Sequence, residues 1–282
     1  MSAEAPPTGP ARTYPAGVTC WIDTEQPDPA AASRFYGELF GWTFTNAMPP
    51  QAESVYLIAQ LDGNDVGAIG PAPAGTPVAW NTYIAVAEAD GAALAVATAG
   101  GTVVSGPNDA GPGGRTATCA DPQGAEFRLW QPYRRLGAQT VNLPGSWNFS
   151  DLRTADIAAA RTFYSEIFGW EYLNLGDSVE TMVSVPGYGD HLAATVDPDI
   201  YRRQAGAPAG FADVIGAIED VGAAAAGWHV KFSVADRDAS AALAVRLGAT
   251  VLETAESPWA ALARIRDPQG AEFTLSEFRP PA

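Results

Sequence analysis

Lysine is almost absent from this 282-residue chain. Lys231 is the single one, and arginine supplies the other cations. Against 32 acidic residues the 16 basic ones leave a net charge of -16. A chain this acidic repels phosphate backbones and anionic lipid surfaces, which argues against nucleic acid as a partner. Cysteine is nearly as scarce. Cys20 and Cys119 show no metal-ligand spacing, and with no export signal they are expected to be reduced, buried thiols. No apolar run approaches the ~18–20 residues that span a bilayer. Residues 1–14 hold one arginine and no apolar stretch, so they predict a Pro/Ala-rich disordered lead-in and not a signal peptide. These absences predict a cytoplasmic protein with no membrane partner.

What is present is repetition. "SRFYGELFGWTF" (Ser33 to Phe44) returns as "ARTFYSEIFGWEY" (Ala160 to Tyr172), with Phe35 matching Phe163. "DPQGAEF" occurs at Asp121 to Phe127 and again, letter for letter, at Asp267 to Phe273. In the first copy Asp28 and Pro29 open a helix. Phe35, Tyr36, Leu39 and Phe40 line one face of it, and Gly41 stops it. Val55 to Gly70 predicts two strands around a tight Asp62-Gly63-Asn64 turn. Trp80 to Val86 is a strand, an Ala-rich helix follows, and "DPQG" is the turn between two final strands. The second copy keeps this order, with Trp228 to Val234 matching Trp80 to Val86. Phe35 precedes Asp121 by 86 residues and Phe163 precedes Asp267 by 104, so the second copy carries about eighteen extra residues. They fall between His191 and Trp228 and predict a longer loop or an added edge strand over one face.

The predicted organisation is a module at 15–132, a linker at 133–144 and a second module at 145–282. The fold class is α+β: tandem modules of βαβββ repeats forming paired, strongly curved mixed sheets with helices outside. One such unit leaves its sheet half open, so units must pair to close a core. The repeated helix and DPQG turn are assigned to folding.

The doubled pairing of FY-x-x-x-FGW with DPxGA resembles the vicinal oxygen chelate superfamily, which includes glyoxalase I, extradiol dioxygenases and bleomycin-resistance proteins. The likeness covers about residues 15–132 and 145–279, and the two-module hydroxylase-like branch of actinobacteria is most similar. The resemblance implies three metal-ligand slots per module. In this sequence they hold Trp21, Asn81 and Arg128 in the first module and Phe149, His229 and Thr274 in the second. A divalent ion needs several N or O donors converging at about 2.0–2.3 Å. Only His229 is a good ligand, so neither a metal nor another cofactor is expected.

Strand residues two apart share a face. Asp23 therefore accompanies Trp21, and Trp147 and Asp151 accompany Phe149. An aromatic ring beside a carboxylate suits a flat, hydroxyl-bearing or partly cationic ligand. Tyr83 faces either the cavity or the sheet's other side. His229, Asp151 and Asp23 are the candidate proton carriers. Trp21, Asn81, Tyr83, Arg128, Trp147, Phe149 and Thr274 are candidate ligand contacts. The alternative is that aromatics plug a degenerate cavity, with Asp23 and Asp151 paired to arginines such as Arg128 and Arg153.

Two function classes follow. One is metal-independent binding of a hydrophobic or aromatic small molecule, a natural product or antibiotic, as in sequestration-type resistance. The other is a metal-independent isomerase, cyclase or hydro-lyase of natural-product metabolism. Metal-dependent glyoxalase or dioxygenase chemistry is the weaker third. The partner is a small molecule, and the protein is expected to be a monomer or homodimer.

Overall fold

The computed structural model describes residues 10–174, 181–222 and 226–279. The first module runs β1 (Thr19–Gln26), α1 (Pro29–Phe40), β2 (Thr43–Asn46), β3 (Leu57–Leu61), β4 (Asn64–Pro71), then β5 (Trp80–Ala85), α2 (Ala89–Thr98), β6 (Thr102–Asp109), β7 (Gly114–Ala120), β8 (Glu126–Pro132). This is βαβββ twice. The second module repeats it as β9 (Trp147–Thr154), α3 (Ile157–Phe168), β10 (Glu171–Asn174), β11 (Thr181–Ser184), β12 (Val214–Asp220), β13 (Gly227–Ser233), α6 (Arg237–Arg246), β14 (Thr250–Glu256), β15 (Ala260–Arg266), β16 (Glu272–Phe278). Helices α4 (Tyr188–Thr195) and α5 (Ile200–Arg203) are inserted between β11 and β12.

Each module builds one eight-stranded mixed sheet. The strand orders are β2-β3-β4-β1-β5-β8-β7-β6 and β10-β11-β12-β9-β13-β16-β15-β14. The first strand of each module thus lies at the centre, parallel to one neighbour and antiparallel to the other. Local signals set the helices. Asp28 accepts a hydrogen bond from the Ala31 N–H, Pro29 fills the first turn, and Gly41 takes the left-handed conformation at φ 76°. Asp156 and Gly169 do the same for α3.

Alternation gives each sheet a polar inner face and an apolar outer face. On β1 the outward residues Cys20 and Ile22 join the core under α1, and the inward ones are Trp21 and Asp23. The two modules meet on their helix-bearing outer faces, and they lock reciprocally. Tyr36 of α1 donates to the Asp267 carboxylate of the second module at 2.8 Å, and Gln26 donates to the same oxygen at 2.9 Å. Tyr164 of α3 donates to Asp121 of the first module at 3.3 Å. Trp42 donates to the Gly145 carbonyl and Trp170 to the Gly17 carbonyl, both at 2.7 Å. Gln269 brackets the Asp28 backbone with two hydrogen bonds, and Gln123 brackets Asp156 in the same way. The aromatic layers cross as well. Phe40 packs on Phe232 at 4.8 Å between centroids, and Tyr164 packs on Phe127 at 5.7 Å. Gly17 and Gly145 permit the approach. Both have positive φ, and a Cβ would come within 2.8 Å of the Phe168 carbonyl or 2.9 Å of the Phe40 carbonyl. The repeated motifs are thus scaffold, but each one's partner is the other module.

Two expectations change, for the insertion and for the lead-in. The extra residues of the second copy form α4 and α5 in place of the tight β3–β4 turn, and are neither a plain loop nor an edge strand. The reason is local. Tyr188, Leu192 and Ile200 supply an apolar set that packs into the inter-module core. Residues 133–144, the linker, are held against the first module. Ala138 N–H bonds the Cys20 carbonyl, Gln139 N–H bonds that of Asp65, and Arg135 pairs with Asp65 at 2.9 Å. The lead-in is tied down from Arg12 onward. Arg12 and Gln139 exchange two hydrogen bonds, Thr13 meets His191, and Tyr14 donates to Ala138. The disorder expected of residues 1–9 lies outside the described residues. Cys20 and Cys119 are both buried free thiols.

Candidate functional site

The central strands place the candidate residues. In the first module β1 pairs with β5 so that Trp21 lies across from Tyr83 and Asp23 across from Asn81. β8 then sets Arg128 beside Tyr83. All five share the inner face, which settles Tyr83, while Trp80 packs outward on Tyr36. Asp23 is 1% exposed and heavily committed. It accepts from Tyr83 at 2.5 Å, from Asn81 at 2.8 Å and from Tyr56 at 2.9 Å, and Arg128 stands 3.7 Å away. Trp21 donates its indole N–H to Tyr56. Arg128 also binds Glu25 at 2.7 Å. Burial, followed by the charge of Asp23, pushes both tyrosine hydroxyls well above their ordinary pKa. Both stay protonated and act as donors. The slots of this module hold one closed polar network.

In the second module β9 and β13 put Asp151 across from His229 and Phe149 across from Lys231, and β16 sets Thr274 beside Lys231. Asp151 is again 1% exposed. Its partners include the Lys231 ammonium and the Ala217 N–H, the latter at 3.0 Å. Lys231 also lies 3.4 Å from Glu219, which pairs with Arg153 at 3.2 Å. Burial works to raise the Glu219 pKa, but Lys231 and Arg153 outweigh it and hold it below the usual range. His229 bonds Thr274 at 2.8 Å. Burial lowers its pKa to about 3, helped by the charges of Arg153, Lys231 and Arg264 against that of Glu219. His229 is therefore a neutral imidazole at physiological pH.

Phe149 meets a separate apolar group. It packs with Leu173 and Phe211 around buried Met182, Val214 and Ala217, and these three rings and chains remain partly exposed. Trp147 does not join it. The strand pairing slips between Lys231 and Phe232, so Trp147 lies opposite Phe232 and belongs to the main core. The alternation that groups Trp147 with Phe149 fails at that irregularity. Asp151 and His229 come together, whereas Asp23 stands in the other sheet. His191 is remote from both, bound to Thr13.

Lys231, Tyr56, Glu219 and Arg264 were not anticipated. Lys231 was legible, because it follows His229 by two residues on one strand and so shares its face. Tyr56, Glu219 and Arg264 reach their sites through sheet neighbours far along the chain, which no local pattern reports.

The metal slots fail the chemical test. Indole, phenyl and guanidinium groups do not ligate, and Asn81 is already a donor to Asp23. His229 and Thr274 bond each other. Among the described residues no three His, Cys, Asp or Glu side chains are grouped to hold an ion. The residues present do not fit a catalytic divalent metal. None of the described helices is long and apolar enough to cross a membrane.

Comparison with known proteins agrees with this architecture. The model of the glyoxalase-like domain matches twice, over residues 20–130 and 149–276. CFP32 of Mycobacterium tuberculosis, which carries a provisional glyoxylase name, is 34% identical over 274 residues, covering 95% of this chain and 97% of its own. DauV of Streptomyces sp. strain C5, named as an anthracycline biosynthesis protein, is 35% identical over 279 residues, covering 93% and 94%. The Mn(II)-bound glyoxalase of Novosphingobium aromaticivorans superposes with TM-score 0.59 at 13% identity over 93% of this chain and 82% of that one. The 2,3-dioxygenase LapB of Pseudomonas sp. KL28 gives 0.58 at 13% identity over 94% and 95%. At such identity the last two speak for the fold alone. With both modules matched and relatives alike from end to end, the chain belongs to the glyoxalase-like family of the vicinal oxygen chelate superfamily.

Proposed function

We propose that this protein binds a flat aromatic natural product in its second sheet, without a metal and without turning it over. One observation carries this reading: a partly exposed apolar group around Phe149 adjoins an inner face whose acid–base candidates are already engaged. Phe149, Leu173 and Phe211 offer ring and alkyl surface to a planar molecule. His229 and Thr274 offer a polar edge. Aromatic natural-product chemistry is also the setting named for DauV.

Catalysis by the same residues is less well supported. A general base works best when its conjugate acid titrates near the working pH. His229, at about 3, takes a proton poorly at pH 7. Asp151 is held by Lys231, and Asp23 by two tyrosines and Asn81.

The test is calorimetric titration with anthraquinone as a planar tricyclic probe, with mass spectrometry to look for product. Binding should survive dialysis against a chelator, and Phe149→Ala should weaken it about 10–100-fold. Product formation, or loss of binding on chelation that a divalent ion restores, would sink the proposal.

A further inference from the structure

The charges around the two central aspartates are unequal. In the first module Asp23 and Glu25 meet one cation, Arg128. In the second, Asp151 and Glu219 meet Lys231 and Arg153. A further cation enters from β15, where Arg264 lies across from Thr274. The corresponding residue of the first module is Thr118, across from Arg128. Among the described residues the ion-pair partner of Arg264 is the exposed Glu253, at 3.4 Å through one terminal nitrogen. Its Nε is buried and has no partner among the described residues. A buried donor left unpaired is costly, so an acceptor supplied by a ligand at this position is favoured.

A second donor stands beside it. His229 Nε2 and Thr274 Oγ share one hydrogen between them. If the imidazole donates, the threonine O–H is left to turn outward. If the threonine donates, the ring proton sits on Nδ1. Either tautomer leaves one donor unused, since no other partner of either side chain is found among the described residues. Burial first, and then the charges of Arg153, Lys231 and Arg264 against that of Glu219, keep His229 neutral, so it adds no cation of its own and serves as a hydrogen-bond donor beside Arg264.

We propose that the second sheet selects ligands carrying an ionised oxygen, received by Arg264 together with the His229–Thr274 pair, while the aromatic body rests on Phe149. This rests on the aromatic-binding reading above and names its ligand class: acidic aromatics, with a carboxylate or an ionised ring hydroxyl. Arg264 is then the specificity-determining residue, and Lys231 holds the carboxylates that would otherwise repel the guest.

Two matched probe pairs test it. The first is anthraquinone-2-carboxylate against anthraquinone-2-carboxamide at pH 7. The second is 2-hydroxyanthraquinone above and below the pH at which its hydroxyl ionises, which tells a phenolate from a carboxylate. The charged member of at least one pair should bind about 10–100-fold tighter, as expected for a charge-assisted hydrogen bond. Arg264→Gln should erase that preference while leaving the neutral probes bound. Arg264→Lys, which keeps charge and loses the planar fork, should retain part of it. Arg134→Gln, at an exposed position away from the second sheet's inner face, should change nothing. Charge-blind binding by the wild type, or a preference that survives Arg264→Gln in a protein with unchanged unfolding midpoint, overturns this inference and leaves aromatic binding standing. No binding of any probe overturns both.

Discussion

Both sheets keep a buried aspartate at the same point of their first strand, yet they neutralise it by different means. Asp23 is satisfied mainly by neutral donors, two tyrosines and an asparagine, with Arg128 just outside hydrogen-bond range. Asp151 is met by the chain's only lysine. The exchange of Tyr83 for Lys231 at matching positions makes the difference. With its carboxylate held by neutral hydroxyls, the first sheet needs one cation, Arg128, for both Asp23 and Glu25. An ammonium buried beside Asp151 recruits Glu219, and Glu219 recruits Arg153. The first sheet therefore closes on itself, and the second becomes a charged relay beside an apolar patch. A duplicated scaffold has diverged where folding did not constrain it.

The largest effect should come from breaking the second network. Lys231→Met leaves Asp151 buried without its cation and should cost about 3–5 kcal/mol in urea unfolding. Tyr83→Phe, its counterpart, should cost only about 1–2 kcal/mol, because Tyr56 and Asn81 remain. Equal losses would refute the contrast. Next, the inter-module lock should prove lopsided. Asp267 accepts three backbone N–H groups along with Tyr36 and Gln26, whereas Asp121 accepts two and a longer bond from Tyr164. Asp267→Ala should destabilise by about 3 kcal/mol and by more than Asp121→Ala.

A pH comparison isolates His229. Its folded pKa lies below the ordinary value of about 6.5, so protonation favours the unfolded chain. Its contribution is complete above about pH 6.5 and is lost as pH falls toward 3, at about 1.4 kcal/mol per pH unit. Between pH 6.5 and 5 the wild type should lose about 2 kcal/mol more than His229→Asn, which installs the first sheet's residue. Parallel pH curves for the two proteins would show that the imidazole titrates normally. The smallest effect belongs to the symmetric contacts. Trp42→Phe and Trp170→Phe each remove one hydrogen bond of equal length and should cost about 1 kcal/mol apiece, within a few tenths of each other.

Much of the scaffold was legible because its causes are local. Asp28, Pro29 and Gly41 bound a helix without help from elsewhere, and Asp62-Gly63 turns a hairpin because both residues accept positive φ. The site was less so. Alternation put Asp23 with Trp21 and Asp151 with Phe149, but the slip between Lys231 and Phe232 sent Trp147 to the core. The α4–α5 insertion showed itself as surplus length, and its helices were missed because their apolar residues pack on distant partners.

By itself the sequence determined two modules, their element order and the inner-face identity of most slot residues, since helix caps, turns and strand period act over a few residues. Only the tertiary structure decided that Tyr36 answers Asp267 and Tyr164 answers Asp121. It alone decided that Lys231 serves Asp151 and Glu219, and that Arg264 stands by His229. Those are contacts between strands far apart in the chain, fixed by sheet order and by two modules closing on one another's outer faces.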